Sequence, residues 1–427
     1  MKVVIVGGGW AGCAAAVIAS KHGAEVTILE RTDMLLGTGL VGGIMRNNGR
    51  FTAAEEMIAM GAGELFILID QNSPFQNINL PAHKNAYIYN AIKIEDIVRS
   101  YLQKLGVVVK YQSRMIDVNL SGSQIISVKV NNCSSDNDIS GDAFIDATGS
   151  GGPMANCRKY GNGCAMCILR CPTFGGRVSL SEKSGIKEIP LISSGEIGGM
   201  SGSCKLVKDS LSKEIVSELN KKGVVIVPIP EKLKNNSNIT QLLKSKSCQQ
   251  YTHPAYKDNI ILINTGMAKM MMPYFPLHML RQIRGFENVR YEDPYAGSVG
   301  NSIRYVSAPP RDNKLKVRDI YNLFCAGEKA GACIGHTEAI CTGSLAGYNA
   351  VQLLRNENLL TIPDKLAVGN FISYSNEQMQ KSDKSGIKCT FSGSVYFEHM
   401  KTNELYLTDA EMIRKKVAAL GMSNIMK

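Results

Sequence analysis

The chain has 427 residues, 44% hydrophobic and 20% charged, a balance that excludes disordered and fibrous classes. No apolar run is long enough to cross a bilayer, and no charged-then-apolar leader precedes the first predicted strand. The expectation is a cytoplasmic protein with no membrane partner. The net charge is +11, from 48 basic and 37 acidic residues. Such an excess permits contact with RNA phosphates. However, the lysines spread over Lys205–Lys246 and Lys381–Lys388 lack an arginine block or interleaved aromatics, so RNA is not favoured on this ground. Twelve cysteines in a chain expected to be cytosolic point to reduced thiols, metal or redox chemistry rather than a disulfide scaffold. A chain of this length is expected to divide into two or three domains.

Lys2–Val6 reads as a buried strand running into Gly7-Gly8-Gly9-Trp10-Ala11-Gly12, with an alanine-rich helix from Cys13 to Ser20. Gly7, Gly9 and Gly12 have the G-x-G-x-x-G spacing. The first allows a tight turn, the second lets backbone approach a pyrophosphate, and the third lets helix and strand pack closely. The pyrophosphate would sit on the free N–H groups of the helix start, beside Trp10 and Ala11. Ala24–Leu29 is the next strand. It ends at Glu30, where a carboxylate is expected to hold ribose hydroxyls, with Arg31 beside it.

A helical pattern is predicted from Thr52 to Ile69, with apolar positions at Ala54, Met57, Ile58, Ala62, Leu65 and Phe66. A second amphipathic helix over Ile94–Leu105, a strand over Val107–Tyr111 and a three-stranded meander beginning at Met115 follow. The meander leads to the buried strand Ala143–Asp146 and then Ala147-Thr148-Gly149. This order resembles the glutathione-reductase-type FAD domain, and FAD is preferred over NAD as cofactor. Thr148 and Gly149 are expected to flank the pyrophosphate.

Residues 154–306 are expected to form an inserted α+β substrate domain with strands at Val224–Pro228 and Asn259–Asn264. It contains Cys164, Cys167 and Cys171 in C-x2-C-x3-C-P spacing, with Cys157 upstream. Four readings stand. The three thiols ligate a metal, an iron–sulfur cluster or zinc, with a remote fourth ligand such as Cys157 or Cys204. Cys164 and Cys167 exchange electrons with the flavin as a dithiol. One cysteine is a nucleophile toward substrate. Or all are buried small hydrophobes. In Phe174-Gly175-Gly176-Arg177, the arginine is a candidate for binding an anionic substrate group.

The chain then returns to the cofactor. Leu323–Glu328 reads as a strand closing on a turn at Gly327 and Glu328. Thr342-Gly343-Ser344-Leu345-Ala346-Gly347 is predicted to open a helix whose slim N-terminus approaches the flavin. His336 and Glu338 lie in the segment expected near the isoalloxazine. They are candidates for proton transfer, against a loop histidine bonded only to backbone.

These last residues resemble the second flavin signature of tRNA-modifying flavoproteins, the glucose-inhibited-division-protein-like enzymes and the folate-dependent tRNA uracil methyltransferases. The likeness runs from Leu323 through Ala350, with Glu338 at the glutamate of that signature. It implies FAD and one-carbon chemistry at a uridine. The Cys-x2-Cys-x3-Cys-Pro stretch departs from the family pattern, and the long helical C-terminal tRNA-binding domain of the larger relatives is not expected from these residues. The expectation is an α/β protein with FAD-domain parts at 1–153 and 307–358, the insertion between them, and a mixed segment at 359–427. It would pass hydride or electrons through a non-covalent flavin to a small-molecule or redox-protein substrate. The alternative is an RNA uridine-modifying enzyme using folate and FAD.

Overall fold

A computed structural model describes residues 1–427 except 133–134, 150–173, 192–198, 202–203, 235–252, 273–274, 293–301, 305–306 and 382–388. At its centre is a parallel five-stranded sheet. The strand order is Leu323–Cys325, Ala143–Asp146, Lys2–Val6, Glu25–Leu29, Val108–Lys110. Val3–Val6 pair with Ala143–Asp146 on one side and with Val26–Leu29 on the other, so the central strand is apolar on both faces. The distant strand Leu323–Cys325 joins by pairing with Phe144–Asp146, which brings Gly327 beside the opening glycine turn. The α/β class read from the sequence is the class observed.

Two helices cover this sheet in close contact: Trp10–Lys21 and His336–Leu354. The second starts at His336, with Gly335 before it, rather than at Thr342 as expected. A Cβ on Gly343 would lie 2.2 Å from the Ala11 carbonyl oxygen, and one on Gly347 would lie 2.4 Å from that of Ala15. Gly343, Ser344, Leu345 and Ala346 are therefore mid-helix residues, all buried, and the glycines serve a helix–helix seam. The slim face was legible, but its partner is another helix, and the helix N-terminus lies six residues before Thr342.

The pattern at 52–69 divides into helices Gly49–Ala59 and Glu64–Gln71, broken where Gly61 takes φ +85°. A hairpin follows that periodicity did not reveal, Phe75–Leu80 with His83–Ile88. Its alternation is interrupted by Asn77, Asn79 and Asn85, two of which adopt positive φ. The meander forms as expected, with strands Arg114–Ser121, Gln124–Asn132 and Ser135–Ser140.

A second hydrophobic core lies under the sheet of Lys205–Leu206, Ala268–Met270, Asn259–Asn264 and Val224–Pro228. Both strands predicted there occur. Helix Lys213–Lys222 leads into it, capped by the Ser212 hydroxyl and closed by Gly223 in the left-handed region. This core also takes Leu80, Ala86 and Ile88 from the hairpin, so residues well before 154 contribute to it. Met270, Met271, Met272 and Phe275 are buried within it.

Helices Ala367–Gln380, Ser394–Thr402 and Ala410–Ala419 pack on the first core through Phe371, Tyr396, Ile413 and Val417. The buried Glu56 carboxylate accepts hydrogen bonds from the N–H groups of Ala367 (2.8 Å) and Val368 (2.9 Å), capping the first of them. Among the described residues, no helix is long and apolar enough to cross a membrane.

Candidate functional site

A cleft runs along the carboxyl ends of the central strands. The glycine turn forms one wall. Gly7 has φ +105°, and a Cβ there would lie 2.3 Å from the Ala147 carbonyl oxygen; one on Gly12 would lie 1.9 Å from that of Gly7. Both positions therefore demand glycine for close backbone approach. At Gly9 a Cβ would meet nothing within 4 Å, because the residue faces open cleft space.

At one end of the cleft stands Glu30, 7% exposed. Its carboxylate accepts from Gly8 N, Thr32 N and Thr32 Oγ1, each at 2.8 Å. An ionised carboxylate offers about four lone-pair sites, so one acceptor position remains for a hydroxyl in the cleft. Arg31 Nη1 donates to the Gly175 carbonyl (2.5 Å), and Arg114 Nε donates to that of Gly176 (2.8 Å). These bonds hold the Gly175–Arg177 stretch along this end, where Arg177 also lines the cleft.

Thr148 and Gly149 line the middle. Asp146, at the strand end, accepts from Thr148 Oγ1 at 2.6 Å and from Ser181 Oγ at 2.7 Å. Gly327 and Glu328 lie on the same wall. Behind them, the fully buried Lys329 donates to both carboxylate oxygens of Glu188, at 2.6 and 2.8 Å.

At the far end, Gly335 and His336 open the long helix into the cleft. His336 packs beside Trp10 and Tyr89, with ring centroids 6.3 and 6.1 Å away. The indole N–H of Trp10, in a residue 3% exposed, has no acceptor within hydrogen-bond geometry among the described residues. The Gly37–Val41 turn closes this end. Lys269, from the second sheet, reaches it and donates to the carbonyls of Val41 (2.9 Å) and Gly42 (2.5 Å). Burial lowers the pKa of Lys205, its cross-strand neighbour, which donates to the Leu40 carbonyl at 3.3 Å.

The cleft fits a dinucleotide. It offers a bare glycine turn, a spare carboxylate acceptor at one end and a buried, unsatisfied N–H at the other. Most of the residues singled out from the sequence come together here: Gly7, Gly9, Trp10, Ala11, Glu30, Arg31, Thr148, Gly149, Gly327, Glu328 and His336. Gly343, Ser344, Leu345 and Ala346 are not among the lining residues, for the packing reason given above. Glu338 also departs from its expected place. It is fully buried and turned away from the cleft, accepting from Arg50 Nε, Thr390 Oγ1 and Phe391 N. Helical spacing puts it two residues round from His336, on the side facing the protein interior. Tyr89 was not singled out, since it follows a hairpin strand with no local motif and reaches the cleft only through the fold.

Cys164, Cys167 and Cys171 lie outside the described residues. Among the described residues, no group of three His, Cys, Asp or Glu side chains could hold a metal. Cys13, Cys204, Cys325, Cys333, Cys341 and Cys389 are buried thiols, and burial pushes Cys333 up to about 11, far from a reactive thiolate.

Comparison with known proteins agrees with the cleft. Residues 2–157 match the family model for FAD dependent oxidoreductase, and residues 240–358 match that for glucose inhibited division protein A. The tRNA uridine 5-carboxymethylaminomethyl modification enzyme MnmG of Nitratiruptor sp. is 32% identical over 102 residues, 23% of this chain and 15% of that protein. The methylenetetrahydrofolate–tRNA-(uracil-5-)-methyltransferase TrmFO of Prochlorococcus marinus subsp. pastoris is 42% identical over 66 residues, 15% of this chain and 14% of that protein. The matched stretches thus span about one-seventh of these relatives. The fold is that of GidA from Aquifex aeolicus, with a TM-score of 0.65 at 17% identity over 100% of this chain and 73% of that one.

The fold is of the Rossmann type, and over residues 2–157 the chain is similar to the FAD dependent oxidoreductases. Over residues 240–358 it is similar to glucose inhibited division protein A, and over shorter stretches to MnmG and TrmFO.

Proposed function

We propose that this chain passes hydride or electrons between a substrate and a non-covalent FAD lying the length of the cleft. The observation that carries the reading is that the opening glycine turn and the N-terminus of helix His336–Leu354 line one continuous space. In this reading Glu30 takes a ribose hydroxyl, while Gly7–Gly12 and Thr148–Gly149 surround the pyrophosphate. Gly327, Trp10 and the helix start surround the flavin. The first N–H groups of that 19-residue helix stabilise negative charge at the cleft's far end. His336 handles a proton there. Bound FAD supplies the hydride or electron transfer itself.

A second reading, an RNA uridine-modifying enzyme using folate and FAD, is favoured by the match over 240–358 and by what the two relatives above are named for. The chain's excess of basic residues is compatible with it. One set of measurements separates the two. Purified protein is titrated with FAD, then with tRNA at rising salt. Stoichiometric flavin uptake without tRNA affinity leaves the first reading standing. Binding of tRNA that weakens steeply with salt selects the second. Failure to take up any flavin rejects both.

A further inference from the structure

We infer that Arg31 and Arg114 are positioning residues that latch residues 175–181 as a strap beside the Glu30 end of the cleft, and that this latch sets how fast a dinucleotide enters and leaves. The inference rests on the reading of the cleft as the FAD site, and adds to it which residues control exchange.

The strap is attached differently at its two ends. At the inner end Ser181 donates to the Asp146 carboxylate through its N–H at 2.9 Å and its hydroxyl at 2.7 Å. Asp146 has no exposed surface, so parting the two would leave a carboxylate short of donors in the interior. Ser179 adds a second tie there, donating to Glu188 at 2.5 Å and capping the short helix Leu180–Lys183. This end is fixed. At the outer end Arg31 Nη1 donates to the Gly175 carbonyl at 2.5 Å and Arg114 Nε to that of Gly176 at 2.8 Å, and both bonds are only partly buried. Water can replace them as the strap lifts, so opening costs far less here than at Ser181.

Gly175 is shaped for the latch. Its φ is +76°, and a Cβ there would lie 2.9 Å from Arg114 Nε and 3.0 Å from Cδ. The left-handed backbone and the guanidinium packed on the bare Cα both call for glycine. Between the two ends, Arg177 and Val178 line the cleft with Arg31, Thr32, Ser113 and Met115. A nucleoside seated against Glu30 therefore lies along the strap. Gly175 is not among the lining residues, so it acts on a ligand only through the strap.

The consequence is kinetic. A latch that favours the closed strap with and without ligand slows entry and exit by the same factor, and their ratio is nearly unchanged. A side chain that only contacts the ligand alters exit and leaves entry alone.

The test measures both rates. Apoprotein is mixed with FAD in a stopped-flow instrument with flavin fluorescence as the signal, and dissociation is followed after dilution of the complex. Two variants attack the latch from opposite sides: G175A pushes a Cβ into the guanidinium, and R114M keeps the stem but removes the donor. Loss of a hydrogen bond from a charged donor should raise association and dissociation rate constants about tenfold in each variant, with Kd in G175A within about threefold of wild type. Because Arg114 also lines the cleft, faster association is the deciding readout for R114M. A folded variant that associates no faster than wild type overturns the proposal, even if it releases FAD more quickly. If G175A does not fold, R114M decides alone. Wild-type protein that takes up no flavin ends the cleft reading and the strap with it, whereas normal uptake with unaltered rates in the variants ends only the strap.

Discussion

Arg50 and Glu338 pair beneath the first turn of the cleft helix, with Arg50 Nε 3.1 Å from each carboxylate oxygen. Glu338 also accepts from the Phe391 N–H at 2.8 Å, so it ties the start of that helix both to helix Gly49–Ala59 and to the C-terminal segment. Removing one partner strands a largely buried charge. Glu338→Ala should cost about 3–5 kcal/mol of unfolding free energy, read from urea denaturation of the apoprotein. Replacing both partners with apolar residues should cost less. A stable Glu338→Ala protein lacking only turnover would instead return this carboxylate to a catalytic role.

Gly343 faces the backbone of Ala11 across the helix–helix seam. Gly343→Val should lower stability by about 3 kcal/mol or more, since both neighbours are backbone and neither helix can yield cheaply. The effect should be equal with and without flavin. A loss seen only in FAD affinity would contradict the packing role.

His83 is a buried histidine whose pKa is lowered to about 3, chiefly by burial and then by the Arg50 and Lys269 charges. Its ordinary value is 6.5, so the unfolded chain binds this proton below pH 6.5 while the folded chain does not. Stability is therefore fully present above pH 6.5 and falls as the pH drops toward 3. The slope from this group approaches about 1.4 kcal/mol per pH unit. His83→Asn keeps an acceptor for Asn47 and should flatten that part of the stability–pH curve. An unchanged curve would show that His83 titrates normally.

Glu56 is predicted to give the opposite sign. Burial raises its pKa from 4.5 to about 7, against the pull of the Val368 and Ala367 N–H groups. The folded chain keeps this proton longer than the unfolded one, so the contribution is complete below pH 4.5 and fades as the pH rises through 7. Glu56→Gln should remove that decline while retaining one carbonyl acceptor for the helix. Denaturation at pH 5 and pH 8 provides the comparison.

The parts of this site visible in the sequence were those governed by local rules. Gly7, Gly9 and Gly12 sit in a strand–turn–helix where close backbone approach demands glycine at Gly7 and Gly12 and Gly9 faces the open cleft, and Glu30 follows at a strand end. The return at Thr148–Gly149 was equally plain, because a buried apolar strand runs straight into it. What escaped depends on packing partners that no window contains. The slim face at Gly343–Gly347 reads the same whether it meets a cofactor or a helix. Glu338 and His336 are two residues apart, and only the direction of the helix decides which of them faces the cleft. Tyr89 is brought beside His336 by a hairpin whose asparagines disguise its alternation.

The most direct test of the account is FAD binding to apoprotein, followed by flavin absorbance and fluorescence. The expected outcome is one FAD per chain for the wild type, with affinity reduced at least tenfold in Glu30→Ala and abolished in Gly9→Val, while both variants retain the wild-type fold by circular dichroism. Wild-type protein that stays colourless throughout the titration, or folded Gly9→Val that binds FAD as tightly as wild type, would contradict it.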